Sequence, residues 1–184
     1  MIETARLLLI PATTTHLTAD LAGRDALTRA LGADVPPSWP PDLYDDDAIG
    51  QCLRWLHDHP DDAGWGLYYV VRLPVERSAA LLIGAGGFKG APDPLGTVEI
   101  GYGVVRDQLR RGYASEALRG WLTYAFAAPG VHVVVGHTLP HLTPSIGVMV
   151  KAGFQFAGEG SDPHAPPGER VVRYELSRTE FERT

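Results

Sequence analysis

The chain has 184 residues, enough for one domain and for a real core, since a domain of about 150 residues hides roughly 70% of the surface its unfolded chain exposes. Hydrophobic residues make up 45% and charged residues 21%, the balance of a soluble globular protein, and no apolar run approaches the roughly 18 residues of a membrane span. Cys52 is the only cysteine, which excludes an internal disulfide and a multi-cysteine zinc site, and the net charge of −6 argues against nonspecific nucleic-acid binding. The apolar run Leu7–Ile10 is too short for the core of a signal peptide and follows an acid, so a cytoplasmic location is expected. The negative charge suits a cationic small molecule or a basic peptide as partner.

Ala5 to Ile10 reads as a first strand, stopped by Pro11. Thr13, Thr14 and Thr15 offer caps for a helix over about 16–31. The stretch "LGADVPPSWPPDLYDDD" is rich in proline and glycine and reads as a loop, with Trp39 and Tyr44 as its aromatic points. Asp45, Asp46 and Asp47 open a second helix over 48–57, where acids favour the helix dipole. Trp65–Leu73, Ala80–Phe88 and Thr97–Val105 read as a meander of three strands. Next comes "QLRRGYASEAL". Ala114, Ala117, Leu118, Trp121, Leu122 and Ala125 form a helical stripe, ended by Pro129-Gly130. Val131–Thr138 is nearly all apolar, as in a strand buried on both faces. Thr143 offers a cap with Pro144 at the first helical position, and Gly153 stops that helix. Phe154–Ala157 and Val171–Leu176 close the chain as strands around a Gly/Pro-rich loop. No repeat or internal boundary is visible, so 1–184 reads as a single mixed α/β domain.

The helix start after the meander is where the sequence points to a ligand. About four amide N–H groups there lack internal partners, and the peptide dipoles add about half a positive charge. Such a terminus is a natural phosphate site. Gly112 lets a ligand approach the backbone, Ala114 keeps the first turn uncrowded, and Arg110 and Arg111 add positive charge. An ordinary helix entry with solvated arginines is the competing reading of this stretch alone.

The strand "TVEIGYGVV" feeds this site, and a second strand–helix unit, "VVVGHTLPHLTPSIGVMVKAGF", follows it. With these stretches the sequence resembles the GNAT N-acetyltransferase superfamily, in particular its RimJ/RimL-like branch. "TARLLLIP" resembles the branch's first strand, "VEIGYGV" its fourth, and "SIGVMVKAGF" its last core helix. The family seats the acetyl-CoA pyrophosphate at Gln/Arg-x-x-Gly-x-Gly/Ala. Gly112 and Ala114 match its last two positions, while the first falls on Leu109, one place after Gln108. The family often carries an asparagine where this chain has Leu142 and a general-acid tyrosine where it has Met149. The resemblance implies a GNAT fold: a central, mostly antiparallel sheet of about seven strands flanked by helices. It also implies acetyl-CoA as co-substrate, held by Val104, Val105, Leu109, Arg110, Arg111, Gly112, Tyr113, Ala114 and Ser115.

The chemistry needs a base for the amine, a held thioester and donors for the developing oxyanion. Glu99 is the base candidate. Its face of the strand continues with Gly101 and Gly103, which leave room for a ligand, and the alternative is a structural carboxylate. Tyr102 is a candidate acid for the leaving thiolate, or a core aromatic. Ser145 contacts the thiol end or, the favoured reading, caps its helix. The resemblance places Val104 where the family's strand splays beside the pantetheine arm, which makes its N–H the candidate oxyanion donor; the alternative is a plain core residue. It also places the Trp39/Tyr44 loop over the acceptor. His137 ends a buried strand, where it lines the acceptor site or is satisfied within the core.

Other features are set aside. "GAGGFKG" has Lys89 where a dinucleotide fingerprint needs its third glycine, and no helix follows. His57, Asp58, His59, Asp61 and Asp62 match no metal-ligand spacing, so no metal is expected. The expected function is N-acetyl transfer to a primary amine, either a protein N-terminus or a small molecule. A catalytically silent acyl-CoA-binding module is the alternative. No nucleic acid or membrane partner is expected; a homodimer is admitted, and the oligomeric state is left open.

Overall fold

Continuous apolar runs in Leu7–Pro11 and Leu67–Arg72, and glycine-rich backbone in Leu81–Phe88, build a continuous sheet. The computed structural model describes residues 1–42, 44–76, 78–160 and 169–183, and for Ala63 the backbone alone. The strands are β1 (Ile2–Glu3), β2 (Leu7–Pro11), β3 (Leu67–Arg72), β4 (Leu81–Phe88), β5 (Thr97–Val104), β6 (Val133–Thr138), β7 (Gln155–Gly160) and β8 (Val171–Ser177). They form one sheet of eight in the order β1-β2-β3-β4-β5-β6-β8-β7. Every neighbouring pair is antiparallel except β5 and β6. That parallel pair needs a crossover, which a helix supplies (α4, below).

The helices are α1 (Thr14–Leu21), α2 (Arg24–Leu31), α3 (Asp46–Asp58), α4 (Tyr113–Ala127), α5 (Thr143–Lys151) and α6 (Arg178–Phe181). They divide between the faces of the sheet. Leu7, Leu9, Val70, Ile83, Val98 and Ile100 pack with the α4 stripe Ala117, Leu118, Trp121, Leu122 and Ala125 and with Met149 of α5. Tyr69, Val71, Leu82 and Ala85 pack on the other face with Leu17, Leu27 and Ile49 of α1, α2 and α3. The glycines of β4 belong to this packing. A Cβ on Gly86 would lie 2.7 Å from the Gly101 carbonyl oxygen and 2.8 Å from Trp121, so only glycine lets β4 and β5 close under α4.

The expected α/β sheet is present, with one strand more than expected. Ile2–Glu3 pairs with Leu8–Leu9 as a short edge hairpin. Pro11 does not stop β2, because its register partner is Tyr68 and the next N–H, of Ala12, donates to Leu67. The expected helix over 16–31 is two helices, since Gly23 adopts a positive φ of 105° and starts α2 afresh. α6 was not expected, although Ser177 and Glu180 form a reciprocal capping box at its start. The loop at 161–168 lies outside the described residues. Among those described, no helix is long and apolar enough to cross a membrane.

Candidate active site

The sheet opens at its centre. β5 and β6 are in register from Thr97/Val133 to Ile100/Gly136 and pair no further. Beyond that point β5 stays paired to β4, through Gly84/Val104, while β6 stays paired to β8. Gly101 to Val104 therefore present one backbone edge to a gap. Val105 N–H donates to Ile83 O of β4 at 2.9 Å, so strand alternation turns the Val104 N–H the other way, toward the gap. Val105 itself is fully buried and its N–H is used within the sheet. Its carbonyl accepts from Gln108, the last residue of a short 3₁₀ turn (Arg106–Gln108).

That turn leads straight to α4. Gly112 is the N-cap residue, at φ 80°, and no side chain caps the end. The first helical bond is Glu116 N to Gly112 O at 3.1 Å, and among the described residues the N–H groups of Tyr113, Ala114 and Ser115 have no partner. Arg110 holds φ 59°, a left-handed conformation costing a non-glycine residue about 1–2 kcal/mol. Leu109 is half exposed, and both Arg110 and Arg111 point to solvent. Arg6 braces the loop from β2's approach. Its guanidinium donates to Arg111 O at 3.1 Å, pairs with Glu116 at 2.6 Å and lies 4.7 Å above the Tyr113 ring.

Glu99 lies on the opposite face of the sheet from α4. Its Oε1 lies 2.5 Å from Lys89 Nζ and 3.1 Å from His137 Nδ1. The register explains the trio: Lys89 N–H donates to Glu99 O, and β6 runs beside β5 with Val135 opposite Glu99, two residues before His137. Neither Glu99 Oε1 nor His137 Nδ1 has an aligned hydrogen bond, although both atoms are buried. Both atoms therefore keep unused hydrogen-bonding capacity. His137 is enclosed, since a Cβ on Gly160 would lie 2.5 Å from its ring.

Tyr102 points the other way, toward α5, and donates to the Ser145 carbonyl at 3.1 Å. Burial pushes its phenol up to about 12, only partly offset by that bond. A phenol held there is a hydrogen-bond donor at working pH; as an acid it sits well above a thiol of ordinary value near 8.5. Ser145 is the third residue of α5, which begins after Leu142 without a side-chain cap. The expected capping by Ser145 or Thr143 is therefore absent, because the helix already begins at Thr143, one residue before a Thr143 cap and three before a Ser145 cap would start it.

The Trp39/Tyr44 loop roofs the Glu99 face. A Cβ on Gly103 would lie 3.2 Å from Pro41. The two aromatics do not themselves face open space. Trp39 Nε1 donates to Asp20 Oδ1 at 2.9 Å, and the Tyr44 and Tyr69 hydroxyls donate to Asp20 Oδ2 at 3.0 and 2.9 Å. Burial, then the neighbouring Tyr69 and Asp20, pushes the Tyr44 phenol far up, so it remains a donor. Arg106 reaches Asp42 at 2.9 Å and links this roof to the turn before α4. Burial also pushes the Cys52 thiol up from its ordinary value. Among the described residues no group of three or more His, Cys, Asp or Glu could hold a metal ion.

The residues that sequence reading missed are Lys89, Asp20 and Arg6. Lys89 was legible in principle: the turn "GAPDPLG" closes an antiparallel hairpin that sets it beside Glu99. Asp20 and Arg6 meet partners far along the chain, and nothing local announces them.

The chain matches the Acetyltransferase (GNAT) domain family over residues 6–155. It is 30% identical over 96 residues to the uncharacterized N-acetyltransferase p20 of Bacillus licheniformis, covering 52% of this chain and 54% of that protein. Thus it spans about half the length of that relative. It is 26% identical over 160 residues to the uncharacterized N-acetyltransferase YoaA of Bacillus subtilis (strain 168), covering 86% of this chain and 84% of that one. Its fold is similar to that of RimL, a ribosomal L7/L12 alpha-N-protein acetyltransferase solved with coenzyme A, with a TM-score of 0.64, 16% identity and 95% of each chain covered. The chain belongs to the GNAT acetyltransferase family.

Proposed function

We propose that this protein transfers an acetyl group from acetyl-CoA to a primary amine, by direct attack of the amine on the thioester. The observation that carries the reading is the open edge of β5. A backbone N–H at Val104 faces a gap in the sheet, and the same strand leads within ten residues to a helix start with three unpartnered N–H groups. The residues present fit an elongated anion-bearing thioester. Gly112 to Ser115 would hold the pyrophosphate, and the β5 edge would pair with the pantetheine arm. Acetyl-CoA supplies the activated acyl group.

The chain's own groups do the rest. Glu99 takes a proton from the acceptor amine, directly or through a water, on the face roofed by the Pro41 loop. His137 holds Glu99 in place and extends the proton path. The Val104 N–H donates to the carbonyl oxygen as it gains charge. Tyr102, on the α5 face, donates a hydrogen bond toward the sulfur when it exchanges its Ser145 partner. The base and the sulfur-side donor thus stand on opposite faces, with the gap between them.

The acceptor is a small-molecule amine or a protein N-terminus. A broad screen of amines and peptides with acetyl-CoA, following free thiol, tests the reading. Thiol release with at least one acceptor, together with a rise in thermal stability on adding acetyl-CoA, is expected. A thermal shift without turnover on any acceptor would instead leave a silent acyl-CoA-binding module.

A further inference from the structure

We propose that Lys89 is a self-acetylation site, an acceptor amine built into the chain; this rests on the acetyl-transfer reading above. Three observations carry it. Lys89 Nζ lies 2.5 Å from Glu99 Oε1, where an acceptor's ammonium must sit to pass its proton to that carboxylate. Its side chain runs over the mouth of the gap, with Cε 3.8 Å from where a Cβ on Gly101 would be, and Gly101 is the first β5 residue beyond the last β5–β6 pair. The third observation is the residue type. Among sixteen Lys and Arg residues only Lys89 and Lys151 are lysines, so the chain meets nearly every need for a cation with arginine. An arginine would hold the same ion pair more firmly and never lose its charge. A lysine amine can lose its proton and act as a nucleophile.

The step balances as follows. Glu99 takes one proton from the Lys89 ammonium. The freed Nζ lone pair attacks the thioester carbonyl carbon, the C–N bond forms and the C–S bond breaks. The nitrogen's second proton goes to the departing sulfur, and Glu99 releases the first through His137 to solvent. The products are N-acetyl-Lys89 and free coenzyme A thiol, with no oxidant or metal required. The modified side chain carries no charge, so the Lys89–Glu99 ion pair is lost and the carboxylate faces the next amine unpaired by Lys89.

The test uses the full chain and acetyl-CoA, read by intact mass and peptide mapping at several protein concentrations. One acetyl group on Lys89 is expected, with a first-order rate that does not change with protein concentration. Lys151, exposed at the end of α5, serves as the internal control and stays unmodified. Glu99→Gln should slow labelling by about 10²–10⁴-fold, and Lys89→Arg should remove the site. Equal labelling of Lys89 and Lys151 would mean chemical acetylation by the thioester and would overturn the proposal. So would an unlabelled Lys89 in a protein that acetylates external amines. If no amine of any kind is acetylated and acetyl-CoA leaves the melting temperature unchanged, the acetyltransferase reading itself has failed.

Discussion

Arg6 and Glu116 are 110 residues apart in the chain, and their side chains meet at 2.6 Å beside the start of α4. Glu116 also accepts from Thr4 Oγ1 at 2.7 Å and from the Arg6 N–H at 2.8 Å. The edge hairpin of β1 and β2 is thereby fastened to the helix whose first turn would hold the pyrophosphate.

That arrangement makes stability depend on pH with a definite sign. Burial raises the Glu116 carboxyl, but the bonds from Thr4 and Arg6 and the Arg6 charge outweigh it and hold the group below its ordinary value. A lowered carboxyl stabilises the fold fully above the unfolded value near 4.3 and loses that contribution as pH falls through the folded value. Glu116→Gln should therefore cost about 1–2 kcal/mol at neutral pH, discounted for the half-exposed Arg6. The gap from the parent should close on acidification, as read by denaturant unfolding at several pH values. A gap that is constant with pH would mean that shape, not charge, is what Glu116 provides.

Gly84 sits against the end of β5. A Cβ there would lie 2.3 Å from the Gly103 carbonyl oxygen and 3.3 Å from Val104 Cα. Gly84→Ala is expected to destabilise by about 1–3 kcal/mol as an overpacking change. It should also weaken acetyl-CoA binding, because it displaces the edge bearing the Val104 N–H. Gly147→Ala, with open space around it in α5, should instead stabilise by about 0.5–1 kcal/mol. Paired thermal melts with and without acetyl-CoA separate the two effects.

At the α4 start the backbone is expected to matter more than the arginines. Gly112 is left-handed, so Gly112→Glu brings strain and would set a carboxylate beside the pyrophosphate position proposed above. Arg110→Ala removes one solvated cation. Calorimetric titration with acetyl-CoA should show at least a ten-fold larger loss for Gly112→Glu, a difference of about 1.4 kcal/mol. Equal losses would shift the binding role to side chains.

Much of this architecture is readable locally. The α4 stripe, the glycine before it and the meander ahead of it are contiguous patterns, and a periodic pattern needs no knowledge of distant partners. The position of Glu99, on the strand face continued by Gly101 and Gly103, is legible from strand alternation alone. What cannot be read is whatever long-range register decides. Nothing near Asp20 says that it gathers Trp39, Tyr44 and Tyr69, so the bonds that anchor the Trp39/Tyr44 loop cannot be read from the sequence. Ser145 fails differently: Leu142, an unusual N-cap, begins the helix before any capping side chain.

Asp20 gives the corresponding prediction for the acceptor side. Its three donors hold the roof over Gly103, and removing a carboxylate that accepts several hydrogen bonds costs about 1.5–3 kcal/mol per bond at most, with losses not additive. Asp20→Ala should raise KM for the acceptor several-fold and leave acetyl-CoA affinity nearly unchanged. An equal loss for both substrates would show that the loop supports the whole fold rather than one face.

The most direct measurement is kcat/KM against pH for the parent and Glu99→Gln, with acetyl-CoA affinity determined alongside. An acceptor amine is mostly protonated at neutral pH, with ordinary values near 10.4 for a lysine-like amine and about 8 for an α-amine. If Glu99 takes the proton, the variant keeps its acetyl-CoA affinity and loses about 10²–10⁴ in kcat/KM near neutrality. The deficit should narrow as pH rises and neutral amine becomes abundant. Undiminished turnover in Glu99→Gln, or a joint loss of stability, acetyl-CoA binding and rate, would contradict the account.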